Sequence, residues 1–345
     1  MRALLILLSA GALAGCETLA YYGQAARGQL ALSAKARPAP VVLADSGTPD
    51  ALKGRLRAAS AIRDYAARAL ALPEGGAYRS YAELERPFAL WNVVATPEFA
   101  LEPVQSCFPI AGCVAYRGYY ERADAERHAA SQRAAGYDVV VYGVPAYSTL
   151  GWFDDPLLSS FIDYPDAELA RLLFHELAHQ VAYVKDDSTF NESFAVVVER
   201  EGLRRWLRDA GREAARAERA AADERRRELE RLMAGLRAQL TTLYGMPVAA
   251  EEMRSRKREL LEALRPWLAR MRGFESAEPS NAVLASFATY TQKVPAFERL
   301  LAAAGGDLER FYARVRELAR LPRAERDAAL PSAPSSPGPW SVPLR

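Results

Sequence analysis

Two histidines and a glutamate stand together in the run Leu172-Leu173-Phe174-His175-Glu176-Leu177-Ala178-His179-Gln180-Val181. On a helix, residues four apart share a face, so His175 and His179 would aim both imidazoles at one point. Two ring nitrogens on one rigid element are the start of a metal site. Glu176 falls a quarter turn aside, where its carboxylate can take a proton from a metal-activated water. The chain holds three histidines, and two of them in this spacing outweigh the bland alternative of a core or surface pair on an amphipathic helix. The third, His128, lies among Glu, Arg and Gln with no ligand spacing and reads as a surface residue.

A hydrolytic metal site needs a third protein ligand and keeps a fourth position for water. Glu192 stands thirteen residues after His179, and a helix, a tight turn and a returning helix would bring it opposite the imidazoles. Thr189-Phe190-Asn191-Glu192 also fits a capping box, in which Glu192 bonds back to the Thr189 backbone. Asp186 and Asp187 are the fallback ligands. Glu199, two turns past Glu192 on the same face, could orient a ligating histidine from behind. Two imidazoles and a carboxylate suit Zn²⁺ better than Mg²⁺ or Ca²⁺, which prefer oxygen shells. The chemistry is then metal-assisted hydrolysis, with Glu176 as general base and later as proton donor to the leaving amine.

The elements around this motif can be read in outline. Apolar spacing predicts helices after Cys16 and over 50–72, ended by Pro73-Glu74-Gly75-Gly76. FALWNVVAT, CVAYRGYY and YDVVVYGVPAY, within 88–150, read as short strands, with a helical crossover between the last two. A helix opens at Pro165-Asp166 and runs to about Val184. The next begins after Lys185-Asp186-Asp187-Ser188 and runs to about Asp209. Residues 210–245 and 249–273 form a charge-rich helical hairpin turning at Tyr244-Gly245-Met246-Pro247, the pattern of a solvated arm.

Net charge is +2 on 45 basic and 43 acidic residues, a balance that excludes nucleic acid as the partner. Met1-Arg2, an apolar run to Leu13 and then Ala14-Gly15-Cys16 have the form of a lipoprotein signal, with Cys16 the lipidated residue. Acyl chains on Cys16 would hold the protein to a membrane facing the periplasm or cell exterior. Cys107 and Cys113 then remain as an isolated pair outside the cytoplasm, which favours a disulfide.

HELAH followed by NESFA resembles the glutamate-type zinc peptidases (gluzincins). More narrowly, the chain is similar to a bacterial family of predicted aminopeptidases, usually small lipoproteins. That similarity rests on YYGQAARGQL, VPAYSTLGWFDDPLLSSF, HELAHQ, FNESFA, NAVLASFATY, VPAFERLL and GGDLERFY. The resemblance implies zinc ligands His175, His179 and Glu192, with Glu176 as base. It also implies that 146–150, including Ala146, Tyr147 and Ser148, forms an edge strand that pairs with an extended substrate. Trp152, Asp154 and Asp155 would line the cleft, an acidic side chain there holding the substrate amine. Tyr290 or Tyr183 would face the oxyanion. Known zinc aminopeptidases have a longer spacer before the third ligand and a distinct amine-binding motif, which this chain lacks.

The expectation is an α+β, mostly helical zincin-like metallopeptidase with a small sheet and a long helical hairpin. Its divisions are a signal peptide (1–15), a catalytic body (16–209), the hairpin (210–273), C-terminal helices (274–328) and a disordered tail (329–345). The expected activity is a membrane-anchored zinc aminopeptidase acting on peptides. The alternatives are an endopeptidase of the cell envelope and a non-catalytic scaffold lipoprotein that uses the hairpin.

Overall fold

The computed structural model describes residues 19–108, 112–211 and 220–331, and the backbone alone over 2–18 and 213–219. Cys16, the segment before it and the tail from 332 lie outside the residues whose side chains are described. The fold is α+β and mostly helical, with small sheets of two or three strands.

Helix α1 (Arg2–Lys35) leads through β1 (Arg37–Pro38) and α2 (Ala39–Ala44) to α3 (Asp50–Leu70). The chain then forms β2 (Ser80–Ala82), β3 (Leu90–Pro97), β4 (Ser106–Phe108), β5 (Gly112–Val114) and β6 (Arg117–Tyr119). Helix α4 (Arg122–Ala134), β7 (Tyr137–Val144) and β8 (Leu157–Leu158) precede the motif helix α5 (Asp166–Ala178). Helices α6 (Ser188–Asp209), α7 (Glu213–Tyr244), α8 (Ala250–Leu261) and α9 (Arg265–Leu268) follow. The chain closes with α10 (Asn281–Thr291), α11 (Val294–Ala303), α12 (Leu308–Ala319) and α13 (Arg323–Ala329).

Helix α5 buries Leu169, Ala170, Leu173, Phe174, Leu177 and Ala178, a three-and-four stripe that leaves the opposite face for chemistry. Its neighbour α6 is buried almost all round, because α3, α5, α7, α10 and α11 all pack on it. Gly202 allows α3 and α5 to approach closely. A Cβ there would lie 2.8 Å from Leu70 and 2.9 Å from Phe174.

The larger sheet has the order β6-β3-β7, all antiparallel, with Leu90 opposite Val144 and Pro97 opposite Tyr137. One face packs against α4 and the other against α7, α8 and α10. Asn281 locks this second layer. Its backbone N–H donates to Asp138, its amide nitrogen donates to the carbonyls of Glu98 and Ala100, and its amide oxygen accepts from Tyr244. A smaller sheet, β1-β2-β8, pairs β2 antiparallel to β1 and parallel to β8.

Several elements differ from expectation. Helix α5 stops at Ala178, six residues before Val184, because Gln180 and Val181 bond back to Leu177 and Ala178 in tight turns. Residues 146–149 form no strand. Pro145 ends the ladder, Tyr147 turns its hydroxyl to Gln29 and Tyr120, and Leu150 adopts a positive φ. The second arm of the hairpin breaks at Leu261 into a 3₁₀ turn and the short α9, which carries Pro266 in its first turn. The hairpin's inner side packs on α6 and α10. At the end of the described chain Leu330 is buried and the Pro331 carbonyl accepts from Arg299.

Candidate metal centre and active site

The turn between α5 and α6 is shaped by its polar side chains. Asp187, not Thr189, caps α6: its carboxylate accepts from the Phe190 N–H at 3.0 Å. Asn191 closes the turn from inside, accepting from the Val184 N–H at 2.7 Å and donating to the Val184 carbonyl at 2.8 Å. Glu192, freed from any capping task, therefore faces back toward α5.

There Glu192 Oε2 lies 3.1 Å from His175 Nε2 and 3.6 Å from His179 Nε2. One donor atom from each residue fits within a 4.8 Å group, so these three could hold a metal ion. A four-coordinate ion with bonds of about 2.0–2.1 Å needs donors roughly 3.4 Å apart. The two measured edges fall on either side of that spacing, and two imidazoles plus one carboxylate match the ligand chemistry. The fit is good.

Behind the donors, His175 Nδ1 donates to Glu199 at 3.0 Å, and Arg171 donates to the same carboxylate at 3.1 Å. Burial pushes the Glu199 carboxyl up, but Arg171 and the His175 hydrogen bond outweigh it and hold Glu199 well below the usual range. Burial likewise lowers His175, yet its bonds to Glu192 and Glu199 raise it to about 10. For Glu192, burial is overcome by His179 and His175, which bring it down to about 2. Glu176 is different. Burial raises its carboxyl, the histidines only partly opposing the shift, which suits a group that must accept and return a proton.

A cleft of about 860 Å³ opens beside these residues. His175, Glu176 and Glu199 form one wall, Ala146 at the end of β7 another, and Tyr290 a third. Hairpin residues, among them Arg225, Leu229 and Trp267, also line it. The Tyr290 ring stands 6.2 Å from that of His175.

Other sequence candidates lie elsewhere. Asp187 is buried in ion pairs with Arg326 and Lys293, and Asp186 accepts from the Cys113 N–H, so neither joins the donor group. Trp152 is 70% exposed, and neither it nor Asp154 lines the cleft. Asp155 is buried, accepts from the Thr149 N–H at 2.8 Å, and is pushed up to about 6 by burial, with Glu176 adding to the shift. It too stands outside the cleft lining. Ser148 accepts from the Leu150 N–H. Tyr183 is raised to about 12 by burial and the charge of Glu192. Cys107 and Cys113 are joined as a disulfide across the β4–β5 pair.

Two tyrosines escaped the sequence reading. The hydroxyls of Tyr116 and Tyr78 are raised well above their ordinary value by burial, with Glu192 acting on Tyr116 and Glu176 on Tyr78. Tyr78 reaches this place because the buried Arg63 donates to the carbonyls of Pro73, Gly75 and Ala77, gathering the loop before it. Neither tyrosine has a sequence spacing to the motif that would reveal it.

Residues 20–330 match the model of the family described as "Putative aminopeptidase". No curated protein and no solved structure matches the chain.

Proposed function

The chain belongs to the "Putative aminopeptidase" family, and from that membership we propose that it is a zinc-dependent peptidase of the gluzincin type, acting on the amino-terminal end of peptides. The observation that carries the reading is the convergence of His175, His179 and Glu192 on one point with Glu176 beside them. Zn²⁺ is the ion proposed for the three donors, and when bound it supplies Lewis acidity that activates water and polarises a carbonyl.

The chain's own groups perform the remaining work. Glu176 takes the proton of the attacking water and returns it to the leaving amine. Glu199 fixes the His175 ring so that Nε2 faces the metal position. Tyr290 and Tyr116, whose hydroxyls burial keeps protonated at neutral pH, are the proposed hydrogen-bond donors to the developing oxyanion. Ala146, which lines the cleft two residues past β7 and has no backbone partner among the described residues, is the point proposed to meet the substrate backbone. Cys16 is the proposed lipid anchor, with the catalytic body facing the periplasm or cell exterior. Among the described residues no helix is long and apolar enough to cross a membrane.

The test is elemental analysis of the soluble form lacking residues 1–16, followed by a peptide screen. One zinc per chain, lost in His175→Ala and Glu192→Ala and kept in Glu176→Gln, supports the site. Cleavage by the parent should fall by about 10²–10⁴ in Glu176→Gln. Blocking by N-acetylation separates aminopeptidase from endopeptidase. A parent that takes up no zinc would sink the proposal and leave the scaffold reading.

A further inference from the structure

We propose that the cleft selects peptides bearing a carboxylate, which Arg225 and Arg270 grip from the two arms of the hairpin. The inference rests on the peptidase reading for its substrate class. Among the described residues five arginines line the cleft: Arg171, Arg200, Arg225, Arg226 and Arg270. Three of them are already engaged. Arg171 pairs with Glu168 and Glu199, Arg226 lies 3.8 Å from Glu199, and Arg200 pairs with Glu230 and Glu298.

Arg225 and Arg270 are exposed, and among the described residues neither guanidinium makes an ion pair or a hydrogen bond. They stand on different elements, Arg225 on α7 and Arg270 two residues past α9. Of the acids that line the same cleft, Glu199 and Glu230 are paired, Glu176 is the proposed base, and Glu228 is the remaining carboxylate. Among the described residues, two free guanidinium groups therefore share the cleft with one free carboxylate, beside a site that would also hold a cation.

The same cleft has an apolar lining that includes Trp267, Met271 and Phe287. Low-dielectric walls focus the field of the unpaired charges into the cleft. A guanidinium fork matches a carboxylate with two parallel hydrogen bonds, a geometry that an ammonium group cannot reproduce. The ligand chemistry is thus a carboxylate next to an apolar segment. In a peptide that group is either the free C-terminus or an acidic side chain.

Three peptides with free amino termini distinguish these sources: tri-alanine, its C-terminal amide, and the amide with Glu in third position. The zinc-loaded protein should cleave the carboxylate-bearing peptides with kcat/KM roughly tenfold above the neutral amide, mainly through KM. Advantage for tri-alanine alone assigns the grip to the C-terminus, and advantage for the Glu peptide alone assigns it to the side chain. Arg225→Ala with Arg270→Ala should abolish the difference, the double lysine variant should keep part of it, and added salt should weaken it. Equal cleavage of all three peptides by the parent, or a preference that survives the double alanine variant, overturns the inference.

Calorimetric binding to Glu176→Gln separates the two readings. If no peptide is cleaved by the parent but Glu176→Gln binds carboxylate peptides through these arginines, the peptidase reading fails and the carboxylate grip stands. If cleavage proceeds without charge preference, the reverse holds.

Discussion

Glu199 accepts the Nδ1–H of His175 at 3.0 Å, two helical turns beyond the Glu192 carboxylate that faces the other nitrogen of the same ring at 3.1 Å. One helix thus grips both edges of one imidazole, so its tautomer and orientation are set before any metal arrives. Glu199→Gln keeps an acceptor but loses the charge that Arg171 also shares. Zinc affinity should weaken about 10–100-fold, read by competition against a chromophoric chelator. Unchanged affinity would show that the ring is fixed by packing alone.

The motif itself was legible because its information is local. HExxH needs only helical spacing, and Glu192 needs only a short turn between two helices. Local pattern does not reveal what a long-range contact decides. Helix α5 ends at Ala178 because Gln180 and Val181 bond back to Leu177 and Ala178, and the Asn191 side chain then holds Val184 in the turn that follows. The stretch 146–149 keeps strand-like residues but leaves the sheet, since Tyr147 is held by Gln29 on α1, 118 positions away. The hairpin read as a solvated arm from its charges, yet Leu229, Met233 and Trp267 on its inner side line the cleft. Tyr116 and Tyr78 were invisible for the same reason: their neighbours come from remote segments.

Asp187 ties the start of α6 to the C-terminal helices. Its carboxylate lies 2.7 Å from Arg326 and 3.4 Å from Lys293, and both arginine and aspartate are buried. Removing one partner strands the other charge in the interior, at a cost of about 3–5 kcal/mol. Arg326→Met should therefore lower the denaturation midpoint sharply, and Asp187→Asn should do so less, because the amide oxygen can still cap Phe190. Burial raises the Asp187 carboxyl, but the Arg326 hydrogen bond and Lys293 bring it below its ordinary value. This stabilisation is present above pH 4 and is lost as pH falls through the lowered value. Acid denaturation should start at higher pH in a Lys293→Met variant, as followed by circular dichroism.

Gly202 holds α6 against α3 and α5. In Gly202→Ala the new methyl would stand 2.8 Å from Leu70 and 2.9 Å from Phe174, both fully buried. Alanine favours the helix by about 1 kcal/mol, while overpacking costs about 1–3 kcal/mol, so the net change should be a loss of stability. Phe174 precedes His175, and pushing it away moves one zinc donor relative to Glu192. Zinc affinity should fall together with the melting temperature. Lower stability at unchanged affinity would show that the strain is absorbed by Leu70.

Asp155 offers a test with the opposite sign. Burial lifts its carboxyl from 3.8 to about 6, against the Thr149 hydrogen bonds. A carboxyl raised in the folded state favours folding below its unfolded value, and that contribution disappears as pH rises through 6. Above that point the protein carries a buried charge whose Oδ1 finds no partner among the described residues. Asp155→Asn keeps an oxygen for the Thr149 N–H and removes the charge. Below pH 3.8, where Asp155 is protonated folded and unfolded alike, the variant should melt with the parent. At pH 8 it should be more stable by about 2–3 kcal/mol, the equivalent of a two-unit shift, which is roughly 3–6 °C in Tm. Melting curves of the metal-free proteins at pH 3.5 and 8 decide it, and a variant less stable than the parent at pH 8 would mean that the ionised Asp155 is compensated by a group facing Oδ1.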